Sequence, residues 1–262
     1  MVVVGQSALV GYTGFVGGNL HHQNRFDFLY NSKNVGEIEG REFDLLVLSA
    51  TQAQRWWANL HPQEDRQGIE RLLAALNDVK SQQVVLISTI DVLPLVPGAD
   101  EDFDAHSQNT HPYGSNRLYL EDEITKRFSN VCIVRLPSLF GRGLKKNVIY
   151  DLLNLNQVEK INPASSFQYY DLSSLWQDIS LALRESLCKI HLFPEPVTSL
   201  EIIDCFFPDV EVGGNRGPAS HYAFQTKYAK LFGGSGGYLY SREDVIRRIG
   251  QFVDGYRRGE IR

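Results

Sequence analysis

Ser7-Ala8-Leu9-Val10-Gly11-Tyr12-Thr13-Gly14-Phe15-Val16-Gly17-Gly18-Asn19-Leu20-His21-His22 is the stretch that decides the fold. Its apolar start suits a buried strand, and the residues after Gly17 can continue as a helix. Glycines at 11, 14 and 17 give a G-x-x-G-x-x-G spacing. The first allows a sharp turn, the second lets a ligand approach the backbone, and the third lets the helix pack close to the sheet. A helix N-terminus presents free N–H groups and partial positive charge, which suits a pyrophosphate. Gly11, Thr13, Gly14, Phe15, Val16 and Gly17 are therefore the expected dinucleotide contacts. Glycine-rich strand–helix turns also occur with purely structural roles, so the motif needs support from the rest of the chain.

That support comes from the order of elements. Phe26-Asp27-Phe28-Leu29-Tyr30 reads as an aromatic-rich strand, and Phe43-Asp44-Leu45-Leu46-Val47-Leu48-Ser49-Ala50 as a buried parallel strand ending in small residues. Small residues such as Ala50 leave room for a ligand at the strand end. From Pro62 to Leu76, Ile69, Leu72, Leu73 and Leu76 recur at helical spacing. The preceding Trp56 and Trp57 are expected to be packing residues. Gln83 to Thr89 and Asn130 to Leu136 read as further strands, separated by an acidic loop from Pro94 to His111 and a helix starting near Pro112. Alternating buried strands and helices predict an α/β fold, a doubly wound parallel sheet of Rossmann type. The alternation weakens beyond Gly141. Helices are expected at Val148–Leu155, Leu172–Ser186 and Arg242–Tyr256, with Pro- and Gly-rich loops between them. The expected division is a nucleotide-binding core over residues 1–150 and a small C-terminal substrate lobe over residues 151–262, with elements returning to the core.

Composition narrows the class. The 262 residues are 43% hydrophobic and 22% charged, with net charge −5. With no basic block of five or more residues, nucleic acid is not the expected partner. Cys132, Cys188 and Cys205 lack metal or disulfide spacing and fit a reducing compartment. Met1 to Val4 makes a poor signal peptide, and no apolar run approaches the roughly 20 residues that span a bilayer. The expectation is a cytoplasmic protein that neither crosses a membrane nor holds a metal. His106 and His111 lie in the acidic loop without ligand spacing, as solvated loop residues.

Tyr113 and Arg117 stand four apart on one helix face, and Thr89 ends the preceding strand. Together with the glycine loop, Ser88-Thr89-Ile90-Asp91-Val92, Tyr113-Gly114-Ser115-Asn116-Arg117 and Arg135-Leu136-Pro137-Ser138-Leu139-Phe140-Gly141 resemble the extended short-chain dehydrogenase/reductases, in the NAD-dependent epimerase/dehydratase group. The resemblance implies an NAD(P)-dependent oxidoreductase, epimerase or dehydratase acting on a sugar-like alcohol or carbonyl, such as a nucleotide sugar. It assigns catalysis to Thr89, Tyr113 and, by position, Arg117. It assigns cofactor contacts also to Arg117 and Pro137, and it implies a homodimer through the tyrosine helix. Leu118 and Ile124 would serve a dimer face or an internal core equally.

A phenol with an ordinary pKa near 10 needs nearby positive charge to act as a base near neutrality, and Arg117 is the expected source. The family motif has Lys where Arg117 stands. Arginine keeps the charge and can bind ribose hydroxyls, but it stays protonated. Asp91 and Ser138 are expected to line the substrate site, although Asp91 can equally cap a turn. After the second strand, Asn31-Ser32-Lys33 offers no acid for an adenine ribose. Ser32 and Lys33 can instead meet a 2′-phosphate, which tilts NADP over NAD, although the same residues also make an ordinary turn. The alternative function is an NAD(P)-binding redox sensor or scaffold with little or no catalysis.

Overall fold

The computed structural model describes residues 5–51, 53–108 and 110–261; the apolar start Met1 to Val4 lies outside the described residues. In chain order the elements are β1 (Ser7–Val10), α1 (Phe15–Gln23), β2 (Phe28–Tyr30), β3 (Glu42–Leu48), α2 (Arg55–Leu60), α3 (Pro62–Ala75), β4 (Lys80–Thr89), α4 (Pro112–Arg127), β5 (Val131–Leu136), β6 (Ser138–Phe140), α5 (Val148–Asn154), β7 (Ser166–Phe167), β8 (Tyr169–Asp171), α6 (Leu175–Arg184), β9 (Lys189–His191), β10 (Val197–Thr198), α7 (Ser199–Phe206) and α8 (Arg242–Arg257). The expected helix at Leu172 begins as a 3₁₀ turn, and α6 proper starts at Leu175.

Six strands form one parallel sheet in the order β2-β1-β3-β4-β5-β9. Ala8 pairs with Phe28 on one side of β1 and with Leu46 on the other, so the chain direction across the sheet reverses at β1. Crossover connections of this kind force helices onto the sheet faces, and both faces must then be apolar. The strand residues obey this. Ala8, Val10, Leu46, Leu48, Val84, Leu86, Val131 and Ile133 join one buried cluster with Ile69, Leu72 and Leu73 of α3 and Leu120 and Ile124 of α4. The alternate residues Leu9, Leu45, Val47, Val85, Cys132 and Val134 are also buried, as period-two alternation requires when helices cover the other face. There α1 lies against β1 and α6 against α1.

Two compact units share the chain. The first comprises the residues up to Pro94, Phe103–Arg135 and Leu175–Ile190. The second comprises Leu95–Asp102, Leu136–Ser174 and the residues from His191 onward. The chain passes repeatedly between them, and residue 150 falls inside α5 rather than at a border. Within the second unit, α7 opens with a capping box in which Thr198 and Glu201 satisfy each other's backbone N–H groups. Its buried Glu101 carboxylate accepts from the Thr226 hydroxyl at 2.7 Å and from the backbone N–H groups of His191 and Lys227 at 2.7 and 2.9 Å.

Candidate active site

The glycine turn is built by close approach. Gly11 adopts φ +93°, and a Cβ there would sit 2.2 Å from the Ser49 carbonyl oxygen. A Cβ on Gly17 would sit 2.1 Å from the Gly11 carbonyl oxygen. Neither position admits a side chain, so β1, the end of β3 and α1 converge only because these residues are glycine. Gly14 is the N-cap of α1, no side chain caps that end, and no acidic residue lies in the first turn. The Gly14 to Gly17 end therefore offers a positive dipole with no built-in anion to answer it. Thr13 is exposed, and the Tyr12 hydroxyl accepts from the Asn31 side-chain amide at 3.2 Å.

Beside this turn the first unit holds a cavity of about 350 Å³. It lies at the carboxyl ends of three strands: Val10 ends β1, Asn31 and Ser32 follow β2, and Ala50 and Thr51 follow β3. Trp57 and the α3 residues Asp65, Gly68, Ile69, Arg71 and Leu72 complete much of its wall. This is the switch point of the sheet, where connections leave in opposite directions and a crevice opens. Trp57 is half-buried and stacks on His61 with ring centroids 5.1 Å apart. Trp56 does not pack: it is 63% exposed, because the six-residue α2 turns only one of its two tryptophans inward.

Tyr113 sits at the start of α4, which three devices hold in place. A Cβ on Gly114 would meet the Asp91 carbonyl oxygen at 2.0 Å, so this glycine lets α4 press against the 3₁₀ turn Ile90–Val92. Asn59 accepts the Tyr113 backbone N–H at 2.9 Å. His111 caps the helix, its Nδ1 accepting from the Gly114 N–H at 3.3 Å. His111 is thus no solvated loop residue. With Nδ1 accepting, Nε2 carries the proton towards Asp91 Oδ1, 3.2 Å away. Asp91 also pairs with Arg55 at 3.1 Å, and its other oxygen faces the Thr89 hydroxyl at 3.3 Å. The Thr89 oxygen accepts the Asp91 backbone N–H, so Asp91 belongs to a capped turn.

Arg117 takes a different course from the one its position suggests. Its guanidinium donates from both terminal nitrogens to the two oxygens of Asp65, each at 2.9 Å, and both side chains are buried. Asn116 adds a third donor to Asp65 at 2.8 Å. The guanidinium carbon lies 4.4 Å from the centroid of the Tyr113 ring, a cation–π distance. Burial pushes the Tyr113 phenol above the ordinary tyrosine value, with the Asp91 charge acting in the same direction. The Arg117 charge and hydrogen bonds from Arg117 and Thr89 pull it down without reversing the balance. Arg117 was expected to lower the phenol pKa; desolvation outweighs it, and the resting phenol is protonated at neutral pH.

A second buried pair fixes the other side of α4. Arg135 of β5 donates to both oxygens of Glu121, at 3.0 and 2.6 Å, and Ser88 of β4 also donates to Glu121. Ile124 is fully buried in the core and Leu118 half-buried, so Ile124 belongs to the internal packing of this unit. Pro137 and Ser138 belong to the second unit, where Ser138 opens β6 and donates its N–H to the Gln168 carbonyl at 3.1 Å. Asp65, Asn116, Arg55 and Asn59 had no signal in the sequence, being single polar residues on helices. Gly114 did have one, a glycine in the first turn of a helix.

No protein-family model matches the sequence, and no curated protein sequence is detectably similar to it. Solved structures do match in shape. One is an RMD from Pseudomonas aeruginosa complexed with NADPH, with TM-score 0.72, 18% identity, and 96% of this chain and 100% of that chain covered. The UDP-glucose 4-epimerase of Thermotoga maritima with UDP-glucose matches at TM-score 0.73 and 13% identity, over 96% and 98%. The NAD-dependent NDP-hexosamine 5,6-dehydratase TunA, involved in tunicamycin biosynthesis, matches at 0.74 and 17%, over 95% and 97%. The chain shares with these solved structures a Rossmann-type fold around a six-stranded parallel sheet. Within this fold, among the described residues, no group of three His, Cys, Asp or Glu side chains is placed to hold a metal ion. No helix among them is long and apolar enough to cross a membrane.

Proposed function

We propose that the chain binds NAD(P) and acts as an oxidoreductase, epimerase or dehydratase on a sugar-like alcohol or carbonyl. The observation that carries this reading is the cavity at the carboxyl ends of β1, β2 and β3, opening beside a helix N-terminus that no side chain caps. The residues present fit a dinucleotide: Gly11 and Gly17 leave backbone where a Cβ would collide, and the uncapped N–H groups of α1 suit a pyrophosphate. The adenosine half would lie against Val10, Asn31, Ser32, Ala50 and Ile69. When bound, the nicotinamide supplies a hydride acceptor or donor.

The chain's own residues then handle the proton. Tyr113, protonated at rest, is set to give its phenolic proton to a carbonyl oxygen as that carbon is reduced, and to take it back in the reverse direction. The Thr89 hydroxyl lies close enough to the same phenol to favour its ionised form, and would meet the substrate oxygen beside it. Arg117, 4.4 Å from the ring and anchored by Asp65, steadies the negative charge that develops on the tyrosine. The substrates of the structural neighbours make nucleotide sugars the class to test first.

Fluorescence titration with NADH and NADPH tests the cofactor half of the reading, and turnover of Tyr113→Phe on a nucleotide-sugar panel tests the chemistry. Turnover in that variant should fall at least about a hundredfold with dinucleotide affinity unchanged. Undiminished turnover would remove Tyr113 from the mechanism. A second reading, a dinucleotide-binding sensor or scaffold, is favoured by one observation: both terminal nitrogens of Arg117 are committed to Asp65. Tight dinucleotide binding with no turnover on the panel would select it.

A further inference from the structure

Arg55, Thr89, Asp91, His111 and Tyr113 all belong to the first unit, and their contacts close around one hydroxyl. Asp91 Oδ1 takes two donors, His111 Nε2 at 3.2 Å and Arg55 at 3.1 Å. That leaves Oδ2 facing the Thr89 hydroxyl at 3.3 Å. His111 is held from its other side, where Nδ1 accepts the Gly114 N–H at 3.3 Å. Its ring lies nearly parallel to that of Tyr113, at 17° with centroids 6.1 Å apart. One imidazole thus joins the cap of α4, the flank of the phenol ring and the Asp91 carboxylate.

A threonine hydroxyl carries a single proton. Two groups claim the one on Thr89: the Asp91 carboxylate, and the Tyr113 phenol once it is ionised. The Asp91 backbone N–H donates to the Thr89 oxygen at 3.2 Å, which fixes that oxygen and leaves its proton free to turn. The Asp91 side chain is only 13% exposed, so its negative charge reaches the phenol with little screening. The cations around it do not cancel that charge. Arg55, from α2, is half exposed, and water screens it. Arg117, from α4, does act on the phenol from 4.4 Å, but shares its charge with Asp65 of α3.

We propose that Asp91 and His111 are positioning residues that keep the Tyr113 phenol in its proton-donating form. The carboxylate draws the Thr89 proton to itself, and His111 keeps the carboxylate aimed at Thr89. This rests on the reading that Tyr113 exchanges the proton of the reaction. When Tyr113 gives its proton to a substrate oxygen it becomes a phenolate. The Thr89 hydroxyl then turns from Asp91 to the phenolate, and no further proton changes hands. By opposing that turn, Asp91 keeps the acid that carbonyl reduction needs and withholds the base that alcohol oxidation needs.

Tyrosine isotope-labelled at Cζ and read by NMR reports the ionisation of Tyr113 directly, its resonance being the one absent from Tyr113→Phe. The cofactor-free wild type, Asp91→Asn and His111→Asn are titrated upward from neutral pH. Asp91→Asn keeps the size of the side chain and the backbone N–H that closes the turn. His111→Asn keeps an acceptor at the N-cap, where asparagine is favoured, but cannot reach Asp91 as well. The ionisation constant of Tyr113 should rise about tenfold in Asp91→Asn, and by a smaller factor in His111→Asn. An unchanged constant in Asp91→Asn would overturn the proposal, and one unchanged or lowered in His111→Asn would remove His111 from it. A role in helix capping alone moves neither, since the asparagine cap is kept. The resonance is read without turnover, so a chain inactive on every substrate would remove the function reading without touching this result.

Discussion

The glycine turn and the tyrosine helix belong to the same compact unit but are assembled on different principles. At the turn, backbone meets backbone: Gly11 against Ser49, and Gly17 against Gly11. The requirement there is the absence of side chains, and two local residues, Gly11 and Gly17, meet it. At the helix, α4 is set by long side chains that reach other elements: Arg117 to Asp65 on α3, and Glu121 to Arg135 on β5. The first arrangement binds by leaving backbone donors open. The second fixes a phenol by surrounding it with satisfied charge. A backbone site tolerates wide variation among its neighbours, whereas a side-chain site depends on partners remote in sequence.

Substitutions can break that contrast, beginning with the most severe. Gly17→Ala places a methyl 2.1 Å from a carbonyl oxygen, and the backbone must move to admit it. Thermal unfolding should show a loss of about 4 kcal/mol or more, or no folded protein, as for the severest point substitutions. Asp65→Ala comes next, leaving a buried guanidinium without its carboxylate. Its cost should be about 3–5 kcal/mol by denaturant titration, and Asp65→Leu combined with Arg117→Met should recover much of it, because a charge pair removed whole leaves no unpaired ion.

Arg117→Lys probes the same contact more gently. A lysine keeps the charge but cannot make two parallel hydrogen bonds to Asp65, so stability should fall by about 1–2 kcal/mol. A variant as stable as wild type would show that the paired geometry at α4 matters no more than the charge.

A residue outside both regions supplies the smallest effect. Burial, with a lesser push from Cys188, moves the Cys132 thiol up to about 12 from its ordinary value of 9.0. A raised folded-state pKa means that the native state holds the proton after the unfolded chain has released it. The stability this contributes is complete below about pH 9 and is lost as pH rises towards 12. At pH 8, iodoacetamide should modify the exposed Cys188 and Cys205 and leave Cys132 untouched, as intact-mass measurement would show.

The two regions were also unequally legible from the sequence. The glycine spacing, the apolar strands and the Tyr113-to-Arg117 interval are local patterns. Each states its own conformational demand, and the six-stranded sheet and the helix over Pro112–Arg127 follow the expected lines. Trp56 misled because apolar area alone does not say which face of a short helix meets the core. Helix capping by a histidine nitrogen has no spacing signature of its own, so the sequence shows His111 only as a residue of an acidic loop. Asp65 gave no sign at all, for an acid in the first turn of α3 looks like any other residue there that favours the helix dipole.

The sequence by itself determined where backbone must pass close to backbone and which strands must be buried on both faces. Those are properties of single residues and of their short-range order. Only the tertiary structure decided that the Arg117 charge goes to Asp65, 52 residues away, and that Arg71 reaches the cavity rim where Ser32 stands. The physical reason is that an ion pair or a shared cavity depends on the three-dimensional distance between side chains. That distance is set by how α3 and α4 pack against the sheet.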